Sequence, residues 1–176
     1  MGTCDLPCIE QVHTLAFKRF LNVSIHASNT ILYGDTGRFP LYINHWIKCI
    51  KYWFRLQNMP RDRIPKQAYE MLEGLTENNV KTWVSDLRNM LCKHGFGHVW
   101  VFKNVGNLVQ FCSLFKERLH DNFKQNWHEK LISSEHLECY SPYKSMIVTE
   151  QFLNDRTLNR QAQRRVATET TALIND

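Results

Sequence analysis

Residues 39–56 read FPLYINHWIKCIKYWFRL. Phe39, Ile43, Trp46, Ile47, Ile50, Trp53 and Phe54 recur at the 3.6-residue period, and Pro40 suits a first helical turn. Tyr42, Cys49 and Leu56 widen that stripe, so the spacing predicts a helix with much of its surface buried. Asn44, Lys48, Lys51 and Arg55 fall on the opposite side, at offsets that stack on a single face. The same stretch is the most apolar of the chain, yet its interruption by Asn44, His45, Lys48, Lys51 and Arg55 argues against a membrane span.

Helical periods continue on both sides. Val12, Leu15, Ala16, Phe17, Phe20 and Leu21 predict a first helix from about Pro7 to Leu21. Residues 22–38 read as a loop, because Ser28, Asn29, Gly34, Asp35 and Gly37 favour turns, with a short apolar run at 30–33 inside it. Downstream helices are expected after Pro65, from Val80 to a stop at Gly95, and from Val105 to Leu131 or Ile132. Val99 to Phe102 reads as a strand or a packed loop, and residues 143–153 as one more helix. The expected fold class is all-α, an irregular multi-helix bundle over residues 8–154, followed by a polar, poorly ordered tail at 155–176. In that tail a helix would align Arg156, Arg160 and Arg164, but a frayed polar end is the preferred reading over a nucleic-acid-binding arm.

The length of 176 residues allows one domain, or one domain with a tail. With 43% hydrophobic and 22% charged residues the chain can build a core, which excludes disorder throughout. Twenty-two Lys and Arg against 17 Asp and Glu leave a formal charge of +5, a mild bias compatible with nucleic acid as partner. Six widely spread cysteines are read as reduced thiols of an intracellular protein, with nucleus and cytoplasm both open. Met1 to Ile9 contains Asp5 and two cysteines, which does not read as a secretory signal.

Chemistry-bearing motifs are sparse. Cys4, Cys8 and His13, and Cys92, His94 and His98, are the local clusters of metal-ligand type. Tetrahedral zinc takes four ligands, and neither cluster has two well-spaced pairs, so no metal is expected. The segment from Gly34 to Arg38 lacks the Lys and Ser or Thr of a phosphate-cradling loop, and Gly95, Phe96, Gly97 does not continue into a dinucleotide fingerprint. No clustered carboxylates suited to divalent-metal chemistry occur, and neither an enzyme nor a cofactor is expected. The better candidate is basic: Lys48, Lys51 and Arg55, with Arg38, Arg61 and Arg63, as contacts to phosphate. Lys116, Arg118, Lys124 and Lys130 add positive positions on the long helix.

Beyond periodicity, an ordered set of blocks stands out: residues 12–22 (VHTLAFKRFLN), 32–43 (LYGDTGRFPLYI), 47–53 (IKCIKYW), 59–71, 81–83, 91–100 (LCKHGFGHVW) and 115–127. In this order they resemble the segment that follows the polymerase domain in the endonuclease-reverse transcriptase proteins of LINE-type, non-LTR retrotransposons. The resemblance spans roughly residues 8–154, and its most specific part is the YG-x-x-GR-F-PLYI block at 33–43. It implies a region that helps to hold template RNA or target DNA. The two adjacent catalytic aspartates of the family's polymerase, and the carboxylates of its endonuclease, lie in domains this sequence does not contain, so no catalytic residue carries over. The expectation is therefore a non-catalytic retroelement fragment with weak, non-specific binding of RNA or DNA through phosphate contacts. The alternatives are a helical interaction module, or a functionless truncated element copy. As an interaction module it would dock on the polymerase part of a retroelement protein, or on another protein, through aromatics such as Trp46, Trp53, Trp100 or Trp127.

Overall fold

The computed structural model describes residues 6–155 and 157–172, with side chains from 8 to 169 apart from 156. Nine α-helices and one 3-10 turn account for the regular structure among these residues, and an isolated bridge between Thr36 and Thr149 is the only β pairing described. The fold is all-α, as the periodicity predicts. No helix among the described residues is long and apolar enough to cross a membrane. The helices are α1 (Leu6–Leu21), α2 (Asn29–Thr36), α3 (Leu41–Gln57), α4 (Ile64–Glu77), α5 (Trp83–Lys93), α6 (Gly97–Phe102), α7 (Leu108–Ser133), α8 (Gln151–Asn154) and α9 (Arg160–Ala172). They are distributed over two compact units, Leu41–His120 and Pro7–Pro40 with the described part of Asp121–Asp176.

In the unit Leu41–His120, α3 is the central element. Ile43, Trp46, Ile50, Trp53 and Leu56 are buried along one side, while Ile47 and Phe54 are half-buried. Each large apolar side chain taken out of water contributes about 1.5–3 kcal/mol. Pro65 stands at the start of α4, where its missing N–H costs nothing, and a reciprocal bond pair between Thr82 and Ser85 caps α5. The indole of Trp53 is fully buried and donates to the Tyr69 hydroxyl at 3.1 Å, tying α3 to α4. Tyr69 in turn donates to Glu73, which pairs with Lys103. The Lys103 ammonium sits 3.4 Å from the centre of the Trp100 ring, and Trp100 stacks on Trp53 at 5.7 Å. These five side chains form a closed circuit of hydrogen bonds, one ion pair and ring contacts. Residues 99–102, read as strand or loop, are the end of α6, with Val99 buried. Phe96, Phe111 and Phe115 complete this core as an aromatic cluster with centroids 5.3 to 6.0 Å apart.

The second unit corrects the loop expected at 22–38. There α2 forms, capped at its start by the Ser28 hydroxyl, which accepts from the Thr30 amide, and ended by Gly37 at φ 64°. Glycine at 34 and 37 looks like turn chemistry in sequence but serves a close approach. A Cβ on Gly34 would lie 2.6 Å from the Tyr140 hydroxyl and 3.0 Å from Trp127, and one on Gly37 would lie 2.6 Å from Thr149 Oγ1. Ile31 and Tyr33 pack with Trp127, Leu131, Leu137 and Tyr140, and Trp127 donates to the Thr30 carbonyl at 2.7 Å. Only Gln151–Asn154 is helical within the expected helix at 143–153. The preceding chain is drawn out along α2 instead: the Glu150 amide donates to the Asp35 carbonyl at 2.8 Å, and Thr149 Oγ1 donates to the Thr36 carbonyl at 2.9 Å.

The expected polar tail is described in part. Arg156 lies outside the described residues, but α9 forms beyond it and buries Ala167 with Leu21 and Leu32. The Arg160 guanidinium lies 4.4 Å from the centre of the Phe20 ring, Arg164 Nε donates to the Phe20 carbonyl at 2.9 Å, and Thr168 donates to the Asn22 carbonyl. These groups satisfy the carbonyls left open at the C-terminal end of α1, which is why a segment poor in apolar residues docks.

Asp35 is the buried carboxylate of this unit. It accepts from the Tyr140 hydroxyl at 2.6 Å. Burial raises its pKa, against the lowering effects of the Tyr140 hydrogen bond and the Lys144 charge. Burial and the Asp35 charge also raise that of Tyr140, so the phenol keeps its proton and remains the donor. Two measurements follow. Gly37→Ala should cost about 1–3 kcal/mol in urea unfolding and speed hydrogen exchange at the Glu150 amide, because both the left-handed backbone and the space at Thr149 are lost. Because Asp35 holds its proton more tightly in the folded chain, its contribution is fully present below the unfolded pKa of about 4 and is lost as pH rises through the folded value. Tyr140→Phe removes the donor that counters this loss. Its destabilisation should be about 1–3 kcal/mol at neutral pH and distinctly smaller in acid, and a pH-independent difference would show that Asp35 is not the group affected.

Candidate nucleic-acid interface

The period that buries one side of α3 turns the other to solvent. Lys48, Lys51 and Arg55 are exposed there, three and four residues apart, and Asn44 extends the row by one turn. Among the described residues no carboxylate lies within ion-pair distance of these three cations. Their charge is therefore uncompensated at short range, as an anion-binding face requires.

The remaining candidates are placed differently. Arg63 is exposed just ahead of α4; its carbonyl accepts from the Lys66 and Gln67 amides and its side chain makes no capping bond. Arg61 is exposed but has Nε 3.8 Å from Glu70, whose carboxylate also faces Lys66 at 3.8 Å. Exposed pairs of this kind are worth little, but the carboxylate offsets positive potential at Arg61. Arg38 belongs to the second unit, where its guanidinium lies 4.8 Å from the centre of the Phe17 ring. The three cations of α3 are thus one face of one helix, and Arg38 is assigned to the other unit. Lys116, Arg118, Lys124 and Lys130 are all exposed on α7, with Lys124 at 3.4 Å from Asp121.

The side chain that sequence reasoning passed over is Tyr52. It is half exposed, four residues after Lys48 and so adjacent to it on the helix surface, and its ring lies 6.0 Å from that of Trp83. Tyr52 forms part of the wall of an open groove of about 570 Å³ shaped by α3, α4 and the start of α5. Trp46, Leu56, Tyr69, Leu72 and Trp83 are among its apolar lining residues, and among the described residues Lys48 is the one lining residue with a formal charge. The i,i+4 spacing of Lys48 and Tyr52 was a legible signal; the groove itself depends on α4 and α5 and was not.

The shifts at His45, Cys49 and Tyr69 in the groove all favour the neutral form. Burial raises the Cys49 pKa, and burial with the neighbouring Lys48 lowers that of His45, whose Nε2 lies 3.3 Å from Cys49 Sγ. A thiol and a neutral imidazole in this state do not form an activated nucleophile, which needs thiolate character. Tyr69, pushed up to about 12 by burial, accepts from Trp53 and Gln57 while donating to Glu73, so its hydroxyl is committed to the packing. Cys4 lies outside the described residues. Among those described, no group of three or more His, Cys, Asp or Glu side chains is placed to hold a metal ion. The arrangement offers cation-lined binding next to an apolar recess. Trp46, Trp53 and Trp127 are buried and Trp100 half-buried, so these tryptophans do not form the exposed docking surface considered from sequence.

Comparison of the chain with protein-family models, with curated proteins and with solved structures returns no match.

Proposed function

We propose that this chain is a non-catalytic fragment of a non-LTR retrotransposon reverse-transcriptase protein, from the region after the polymerase domain. In this reading it binds RNA or DNA weakly and without sequence preference through α3. The observation that carries the binding is the exposed row Lys48, Lys51 and Arg55 with no carboxylate in ion-pair reach among the described residues. Phosphates brought to such a row release counterions, which supplies affinity without base recognition. The retroelement origin rests on the ordered sequence blocks, above all residues 33–43.

A second reading is an interaction module whose partner is the polymerase part of a retroelement protein. It is favoured by Val101, Phe102 and Val109, each more than 70% exposed at the end of α6 and the start of α7. Salt separates the two readings, because phosphate contacts weaken steeply with ionic strength and apolar docking does not.

Binding of the purified chain to labelled RNA and DNA should fall with salt. Replacing Lys48, Lys51 and Arg55 together by Glu should abolish it at low salt. Single charge removals should flatten the dependence of log K on log salt by roughly 0.7–0.9 each. Unchanged binding of the triple variant would remove α3 from the interface.

A further inference from the structure

The groove beside α3 has a chemical character that phosphate binding does not use. Its walls are mainly apolar and aromatic, and Lys48 is the charged residue that lines it among the described residues. At about 570 Å³ it lies within the size range of small-molecule sites. Tyr52 presents a half-exposed ring at its edge, one helical turn from Lys48 and next to Trp83. Among the described residues, no Asp or Glu lines the recess to repel a phosphate at its mouth.

We infer that this groove receives an unpaired nucleobase, stacked on the exposed face of Tyr52 beside Trp83 with the adjoining phosphate on Lys48, and that the chain therefore prefers single-stranded to duplex nucleic acid. The inference rests on the nucleic-acid reading above and adds the recognised form of the ligand. Every base carries a π face, so aromatic stacking is tolerant of sequence and needs only that the base be free. In a duplex the faces are already stacked, and the strands would offer α3 their phosphates alone. A neutral apolar occupant would fill the recess but leave Lys48, Lys51 and Arg55 without a counter-charge. A base with its phosphodiester matches both parts at once, the flat apolar ring to the recess and the negative backbone to the row of cations.

The test uses the full chain, with labelled oligothymidylate, oligouridylate and a DNA duplex in low-salt anisotropy titrations. Single strands should bind more tightly than the duplex. Tyr52→Ala should weaken single-strand binding about tenfold while leaving duplex binding unchanged, and Tyr52→Phe should retain the preference. Circular dichroism verifies that the Tyr52→Ala chain keeps its helices. A readout on the unaltered chain is alkylation of Cys49, followed by mass spectrometry, which oligothymidylate should slow and the duplex should not. Equal affinity for single and double strands, with Cys49 unprotected, would overturn the base site and leave the cationic face standing. Absence of binding to any of the three ligands would overturn both.

Discussion

The burial of the Trp53 indole is the constraint on which the unit around α3 depends. An indole fully removed from water gives up the solvent partner of its N–H, and an unpaired buried donor would cost about 1–3 kcal/mol. Tyr69 supplies the acceptor, and this sets the rotation of α4 against α3. The Tyr69 hydroxyl passes its own proton toward Glu73, Glu73 holds Lys103, and Lys103 lies over Trp100, which stacks back on Trp53. The buried indole N–H is thus satisfied, and the charges at the end of the circuit are paired at its partly exposed margin. At about 100° per residue, Lys48, Lys51 and Arg55 lie roughly 140–160° around the helix from Trp53. Sealing the tryptophan turns the cations outward, so the packing of the core and the character of the surface are two aspects of one helix orientation.

In the other unit the same logic is applied to backbone. The residues from Gly34 to Gly37 sit in the block that carries the retroelement resemblance, and each has a packing role. Gly34 admits the Tyr140 hydroxyl and the Trp127 ring, and Gly37 closes α2 in the left-handed region beside Thr149. Asp35 offers its carboxylate to Tyr140 and its carbonyl to the Glu150 amide. Lys144 completes the clip by donating to the Val148 carbonyl and pairing with Glu150. The chemistry of this block is therefore directed inward, to holding an extended segment against a short helix. Its small and acidic residues are accounted for by these contacts.

The contrast between α3 and α2 shows what was legible. The stripe of α3 repeats over more than four turns, so the period itself identified the helix, its buried side and its cationic side. Two glycines and an aspartate dilute the eight residues of α2, and these are the residue types that favour turns. Long-range contacts from Trp127 and Tyr140 override that preference. Residues 143–150 failed as a helix for the converse reason: their apolar positions suit a helical period, but backbone donors and side chains are drawn into bonds with Asp35 and Thr36. For α9, docking comes through Arg160, Arg164 and Thr168 onto Phe20 and Asn22, partners more than 130 residues away that no local pattern signals.

The sequence by itself determined the all-α class, the buried stripe of α3 and the row of Lys48, Lys51 and Arg55, because these depend on spacing along one helix and the geometry of a helix is local. It did not reveal that Gly34, Asp35 and Gly37 are packed against Tyr140, Thr149 and Glu150. Tertiary structure decided what spacing cannot encode: that Arg38 belongs to a different unit, that Arg61 shares its surroundings with Glu70, and that Tyr52 borders a groove. A groove is made by surfaces of separate helices, and its existence depends on how α4 and α5 are turned. That orientation comes from Trp53, Tyr69 and their partners packing together, since a buried polar group selects the one arrangement in which its hydrogen bond is made.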